Sequence, residues 1–94
     1  MKQCVKISVS GKMNPSSYKE FVQKHAHKLS IEGVAQTADD KDSIMIFACG
    51  PSDNLDELID LLYKGTPDCK IKDVIIEPFL NEKDFRGVFR IIGD

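Results

Sequence analysis

Two helical stripes set among strand-like runs restrict this chain more than any other feature of it. Tyr18, Phe21, Val22, His25, Ala26 and Leu29 recur at the three- and four-residue spacing of one buried helix face. Leu55, Leu58, Ile59 and Leu62 repeat that spacing later. Before the first stripe lies "CVKISV", where Val5, Ile7 and Val9 alternate with polar neighbours at the two-residue period of a half-buried strand. Between the stripes, "EGVAQT" reads as a short strand, "ADDKD" as a turn, and the near-continuous apolar run "SIMIFAC" as a central strand covered on at least one face. "IKDVIIEPF" and "GVFRII" supply two more strands, joined by the charged loop "LNEKDFR".

The order is strand, helix, strand, strand, helix, strand, with an extra strand late. Nothing repeats and no linker divides the 94 residues, so one domain spanning 1–94 with a single modest core is expected. Two helices on one face of a mainly antiparallel sheet of four to five strands is an α/β (α+β) sandwich, the ferredoxin-like βαββαβ arrangement. Ser17 with Glu20 fits a capping box, which predicts a loop over Gly11–Ser17 and a first helix from about Tyr18 to Leu29. Asn54 with Glu57 offers a second capping box. Gly65 sits where a helix commonly ends, and Pro67 bars its continuation.

Hydrophobic residues make up 41% and charged residues 30%, which excludes a disordered tract and a membrane-embedded chain. No apolar run approaches the ~20 residues of a membrane span, and "MKQCVKISVSGK" has no signal-peptide hydrophobic region, so a cytoplasmic protein without membrane contact is expected. Cys4, Cys49 and Cys69 are odd in number, widely spaced and without a CxxC, which points to reduced thiols. His25 and His27, two apart, face different sides of a helix and cannot share a metal as i, i+4 pairs do. Asp39, Asp40 and Asp42 lack the spacing of a calcium loop and read as a solvated turn.

Charge is unevenly spread. Residues 1–36 carry six lysines against Glu20 and Glu32, a balance of +4, while residues 37–94 carry seven Lys/Arg against thirteen Asp/Glu, a balance of −6. An anion site in the first third and a solvated basic helix face fit this equally well. No G-x-S-x-G motif is present, and Cys49 at the end of an apolar strand reads as structural. Arg86, Gly87 and Phe89 resemble the R-G-F-aromatic pattern of RNA-recognition sheets, but on the last strand, without a second aromatic, in an acidic domain. Nucleic acid is therefore not an expected partner.

The turn "SGKMNPSSYKEF" resembles the acylphosphatase family, whose signature there is G-x-V-Q-G-V-x-F-R. Gly11 matches the opening glycine, Met13 and Asn14 stand at V-Q, Pro15 and Ser16 at G-V, Tyr18 at the aromatic and Lys19 at the arginine. The spacing continues without a gap. "AHKLSIEGVAQT" follows A-x-x-L-G-L-x-G-W-V-x-N, with Ala26, Leu29, Ile31 and Gly33 matching, Val34 at the tryptophan and Thr37 at the asparagine. "KGTPDCKIKDV" and "FRGVFRII" look like the family's later G-x-P segment and closing strand.

The resemblance implies hydrolysis of the carboxyl–phosphate bond of a small acyl phosphate by water, without metal or cofactor, in a monomer. It places the phosphate on Lys12, Met13, Asn14, Ser16, Ser17 and Tyr18, and assigns the catalytic roles to Lys19 and Thr37. Inorganic phosphate or sulfate would fit the same cradle. Three positions depart from the family pattern. Pro15 has no N–H to donate and cannot take the positive φ open to glycine. Lys19 keeps the charge of arginine but not its planar fork. Thr37 offers one hydroxyl in place of an amide that orients the attacking water. Lys19 also reads as one more solvent-facing helix lysine, and Thr37 as a plain strand residue. These substitutions point to low or lost turnover; the alternative is a non-catalytic module binding an anion or a protein on the same fold.

Overall fold

The computed structural model describes residues 2–38, 43–67, 69–79 and 85–92; the acidic turn at Asp39, Asp40 and Asp42 and most of the "LNEKDFR" loop lie outside them. Seven elements follow in order: β1 (Lys2–Lys12), α1 (Pro15–Lys28), β2 (Glu32–Thr37), β3 (Ser43–Pro51), α2 (Ser52–Lys64), β4 (Lys70–Pro78) and β5 (Phe89–Ile92). They build an open five-stranded sheet in the order β4-β1-β3-β2-β5. Every pairing is antiparallel except β2 with β5, which is parallel. Both helices cover one face, giving the ferredoxin-like sandwich with β5 appended beyond β2.

The core sits between that face and the helices. Register places Ile7 against Ile46, Val9 against Ile44 and Ala35 against Ile46, so every second residue of the central strands points to the helices. Tyr18, Val22 and Ala26 of α1 and Leu55, Leu58 and Leu62 of α2 close over them, all at most 3% exposed. Burying each of the larger aliphatic chains contributes about 1.5–3 kcal/mol.

Both helix starts differ from the capping boxes read in the sequence. Helix α1 begins at Pro15, because Asn14 is its N-cap: Asn14 Oδ1 accepts the Ser17 N–H at 3.1 Å. Proline suits the first helical position, where its missing N–H has no intrahelical use. Ser17 therefore lies inside the helix. Helix α2 follows Pro51 with no side-chain cap, and Asn54 lies within it, donating from Nδ2 to the Leu29 carbonyl at 2.8 Å. That bond ties the start of α2 to the end of α1. Gly65 does end α2, its N–H returning to the Leu61 carbonyl.

Strand β1 also runs further than the alternation of Val5, Ile7 and Val9 suggested, through Gly11 to Lys12. Its register against β4 shifts between Ser10 and Gly11. Gly11 there has φ 148°, and a Cβ on it would collide with the Lys70 carbonyl oxygen. Glycine is needed for the close approach of β4, not to open a loop. The connection from β1 to α1 shrinks to Met13 and Asn14.

The reduced state expected of the cysteines does not hold for two of them. Cys4 on β1 stands directly opposite Cys49 on β3, with Cα atoms 4.1 Å apart, and the two form a disulfide. Only strand register brings them together across 45 residues. Cys69 is free, its Sγ accepting the Thr66 N–H at 3.0 Å. Tyr18 supplies a second long-range tie. Its hydroxyl donates to the Leu62 carbonyl at 3.1 Å, in the last turn of α2, where carbonyls lack intrahelical partners. Burial, with a lesser contribution from Cys69, pushes the Tyr18 phenol well above its ordinary range, so it remains a neutral donor.

Closing a loop of this length supports a loss of about 2–4 kcal/mol on reduction or in the Cys4→Ser/Cys49→Ser variant, read as a lower urea midpoint. A midpoint insensitive to reductant would show that the bridge restrains nothing beyond what the sheet already holds. Because the folded phenol titrates above its unfolded value near pH 10, the Tyr18 contribution is complete below that pH and lost above it. Tyr18→Phe should cost about 1–3 kcal/mol at neutral pH by stranding the Leu62 carbonyl, and should flatten the alkaline fall in thermal midpoint seen in the wild type.

Candidate anion site at the junction of β1 and α1

Helix α1 turns Tyr18, Lys19, Val22 and Ala26 toward the sheet. Lys19 is 0% exposed, so it is not the solvent-facing lysine that the sequence also allowed. Thr37 closes β2 and pairs in register with the buried Ile44, so its side chain faces the same helix-covered side. The two meet: Lys19 Nζ donates to Thr37 Oγ1 at 3.2 Å and approaches the Ile92 carbonyl at 3.5 Å. A buried ammonium needs such oxygen acceptors, since its desolvation otherwise goes uncompensated. Thr37 is thus a strand residue and also the partner of a buried cation.

The remaining sequence-predicted residues divide by position. Lys12 is exposed at the end of β1, and Met13 packs partly into the core. Asn14 and Ser17 are bonded to each other through the cap, and Ser16 is exposed in the first turn of α1. Tyr18 turns its ring into the core and its hydroxyl to Leu62, so its side chain presents nothing to a ligand at this turn. Its N–H is bonded to the Asn14 carbonyl at 2.9 Å.

Amide supply at this helix start is correspondingly thin. Pro15 has no N–H, Ser17 donates to Asn14 Oδ1 and Tyr18 to Asn14 O, which leaves Ser16 as the first-turn amide with no carbonyl behind it in the helix. An anion settling here must displace the Asn14 side chain or rely on few donors. What the site keeps is the positive end of α1 and the buried ammonium behind it.

Elsewhere, His25 packs edge-on against Phe21, and burial, then Lys28 and Lys24, lower its pKa below the ordinary value. Among the described residues, no group of His, Cys, Asp or Glu could hold a metal ion. Phe89 is 1% exposed and turned into the core, which removes the aromatic an RNA-binding face would need. No helix among the described residues is long and apolar enough to cross a membrane. The burial of Lys19 was the feature missed in the sequence. Its spacing from Val22 and Ala26, three and seven residues, places it on the apolar stripe and was the available signal.

The acylphosphatase family profile matches residues 5–91. An acylphosphatase of Caldivirga maquilingensis is 31% identical over 83 residues, covering 88% of this chain and 87% of that protein. Solved acylphosphatase structures superpose closely. That of Coxiella burnetii gives a TM-score of 0.86 at 27% identity, over 96% of this chain and 92% of its own. That of Bacillus subtilis gives 0.87 at 25% identity, over 99% and 100%. With the profile spanning nearly every element and the fold shared from end to end, this chain belongs to the acylphosphatase family.

Proposed function

We infer that the protein holds an acyl phosphate, or a free phosphate or sulfate, at the junction of β1 and α1, and hydrolyses the carboxyl–phosphate bond slowly or not at all. The observation that carries this reading is the hydrogen bond from Lys19 to Thr37, which unites the two positions that align with the family's arginine and asparagine. In the reaction implied by the family, water attacks phosphorus in line with the departing carboxylate. Lys19 and the Ser16 amide would hold the phosphoryl oxygens while Thr37 Oγ1 orients the water.

Three features support low turnover. Lysine neutralises developing charge as a point and offers no bidentate clamp. Of its three N–H donors, one serves Thr37 Oγ1 and another is directed at the Ile92 carbonyl, so a phosphate competes with contacts the ammonium already makes. Thr37 has one hydroxyl hydrogen, and in-line placement of water tolerates about an ångström of error. The binding-module alternative draws on the same thin supply of amides, since Pro15 has none and the Ser17 N–H is taken by Asn14 Oδ1. A cytoplasmic setting belongs to the proposal, and the Cys4–Cys49 bridge bears on it, since disulfides are rare in that compartment.

Hydrolysis of acetyl phosphate by the purified wild type should lie within about tenfold of the spontaneous rate. The Lys19→Arg/Thr37→Asn variant should exceed the wild type by about 10²-fold or more, the scale of a positioned charge at a phosphoryl transition state. Wild-type turnover far above the spontaneous rate and lost in Lys19→Ala would overturn the low-activity reading while keeping the site. A variant as inert as the wild type would leave the binding module as the function.

A further inference from the structure

At the β4 side of the same end of the sheet lies an open groove of about 550 Å³, walled by Ser10, Gly11 and Lys12 of β1 and by Lys70, Lys72 and Asp73 of β4. Three cations face one carboxylate. Lys12 and Lys70 are direct cross-strand partners, both exposed. Like charges placed directly opposite on neighbouring strands destabilise the pairing, so the sheet carries an unfavourable contact at this spot.

The irregularity next to it completes the geometry. Ser10 pairs with Asp73 and Gly11 with Ile71, so Lys72 is the extra residue of a bulge. The bulge lets Ile71 and Val74 both pack against the core while Lys72 stays exposed beside the groove. Bulges bend a strand and re-aim a side chain. Gly11 has no Cβ, which permits the close approach of the β4 backbone at Lys70.

We propose that this groove is a second anion-binding site, in which Lys12, Lys70 and Lys72 take a phosphate or carboxylate group. The anion supplies the negative charge that the facing pair Lys12 and Lys70 lacks. The same chemistry admits two sources: a free anion, or a charged group at the far end of a ligand whose phosphoryl end sits at α1. Lys12 is two residues from Asn14, a span of at most ~7 Å along the chain.

The test uses the full chain, backbone amide NMR and two probes, inorganic phosphate and 6-phosphonohexanoate, on the wild type and on Lys70→Ala/Lys72→Ala. Saturable shifts at Gly11, Lys70 and Ile71 in the wild type are expected, with a dissociation constant raised at least tenfold in the variant and weakening between low and high salt. Saturation of the groove by phosphate alone identifies a free anion. Saturation by 6-phosphonohexanoate alone, with concurrent shifts at Ser16 and Thr37, identifies the far end of one ligand. Groove amides that fail to saturate with either probe, or that respond equally in the variant, overturn the proposal. Because the amides of Ser16 and Ser17 are read separately, a silent junction of β1 and α1 would sink the reading of that site without touching this one.

Discussion

A lysine ammonium without access to water cannot be left unsolvated, and in this chain everything around Lys19 is arranged to meet that demand. Helix α1 must dock with Lys19 over the end of β2, where Thr37 Oγ1 receives it, and close to the Ile92 carbonyl of β5. Val22 and Ala26, one and two turns further along the same face, bury against the sheet and set the helix's rotation. Asn14 and Pro15 set where the helix begins, and therefore where along the sheet Lys19 falls. A shift of one residue in that start would turn the lysine by about 100° and break the contact. The appended parallel strand β5 belongs to the same constraint, since it brings the Ile92 carbonyl to the ammonium.

Much of the architecture was legible because burial writes a period into sequence. "EGVAQT" became β2 residue for residue, and the stripe at Leu55, Leu58 and Leu62 became the inner face of α2. What was not legible depended on competition or on register. Ser17 with Glu20 and Asn14 with Pro15 are both valid helix starts. Asn14 prevails as the cap because a proline following it is already set in helical φ. The opposition of Cys4 and Cys49 exists only once β1 and β3 are paired, and no local pattern reports a pairing 45 residues apart. Lys72 in its bulge and Lys12 opposite Lys70 are hidden in the sequence for the same reason.

Of the candidate site, the sequence carried the two positions that meet and not their surroundings. The resemblance at residues 11–19 and 26–37 named Lys19 and Thr37, and folding joined them. Spacing put Lys19 on the stripe of Val22 and Ala26 but could not show where its ammonium finds oxygen, nor that the amides of the turn are largely taken by Asn14. A basic first third also proved to be only part of the electrostatics. Lys70 and Lys72, from the acidic remainder of the chain, stand beside Lys12 at the same end of the sheet.

The central claim is that the buried Lys19 ammonium, together with the start of α1, is where an anion is held. Inorganic phosphate titrated into labelled protein, with the Lys19 side-chain carbon and the Ser16 amide observed together, tests it most directly. Concerted, saturable shifts of both, absent at Ser16 in Lys19→Met, are the predicted result. A Lys19 side chain that stays unmoved at phosphate concentrations saturating any other part of the protein would contradict the account.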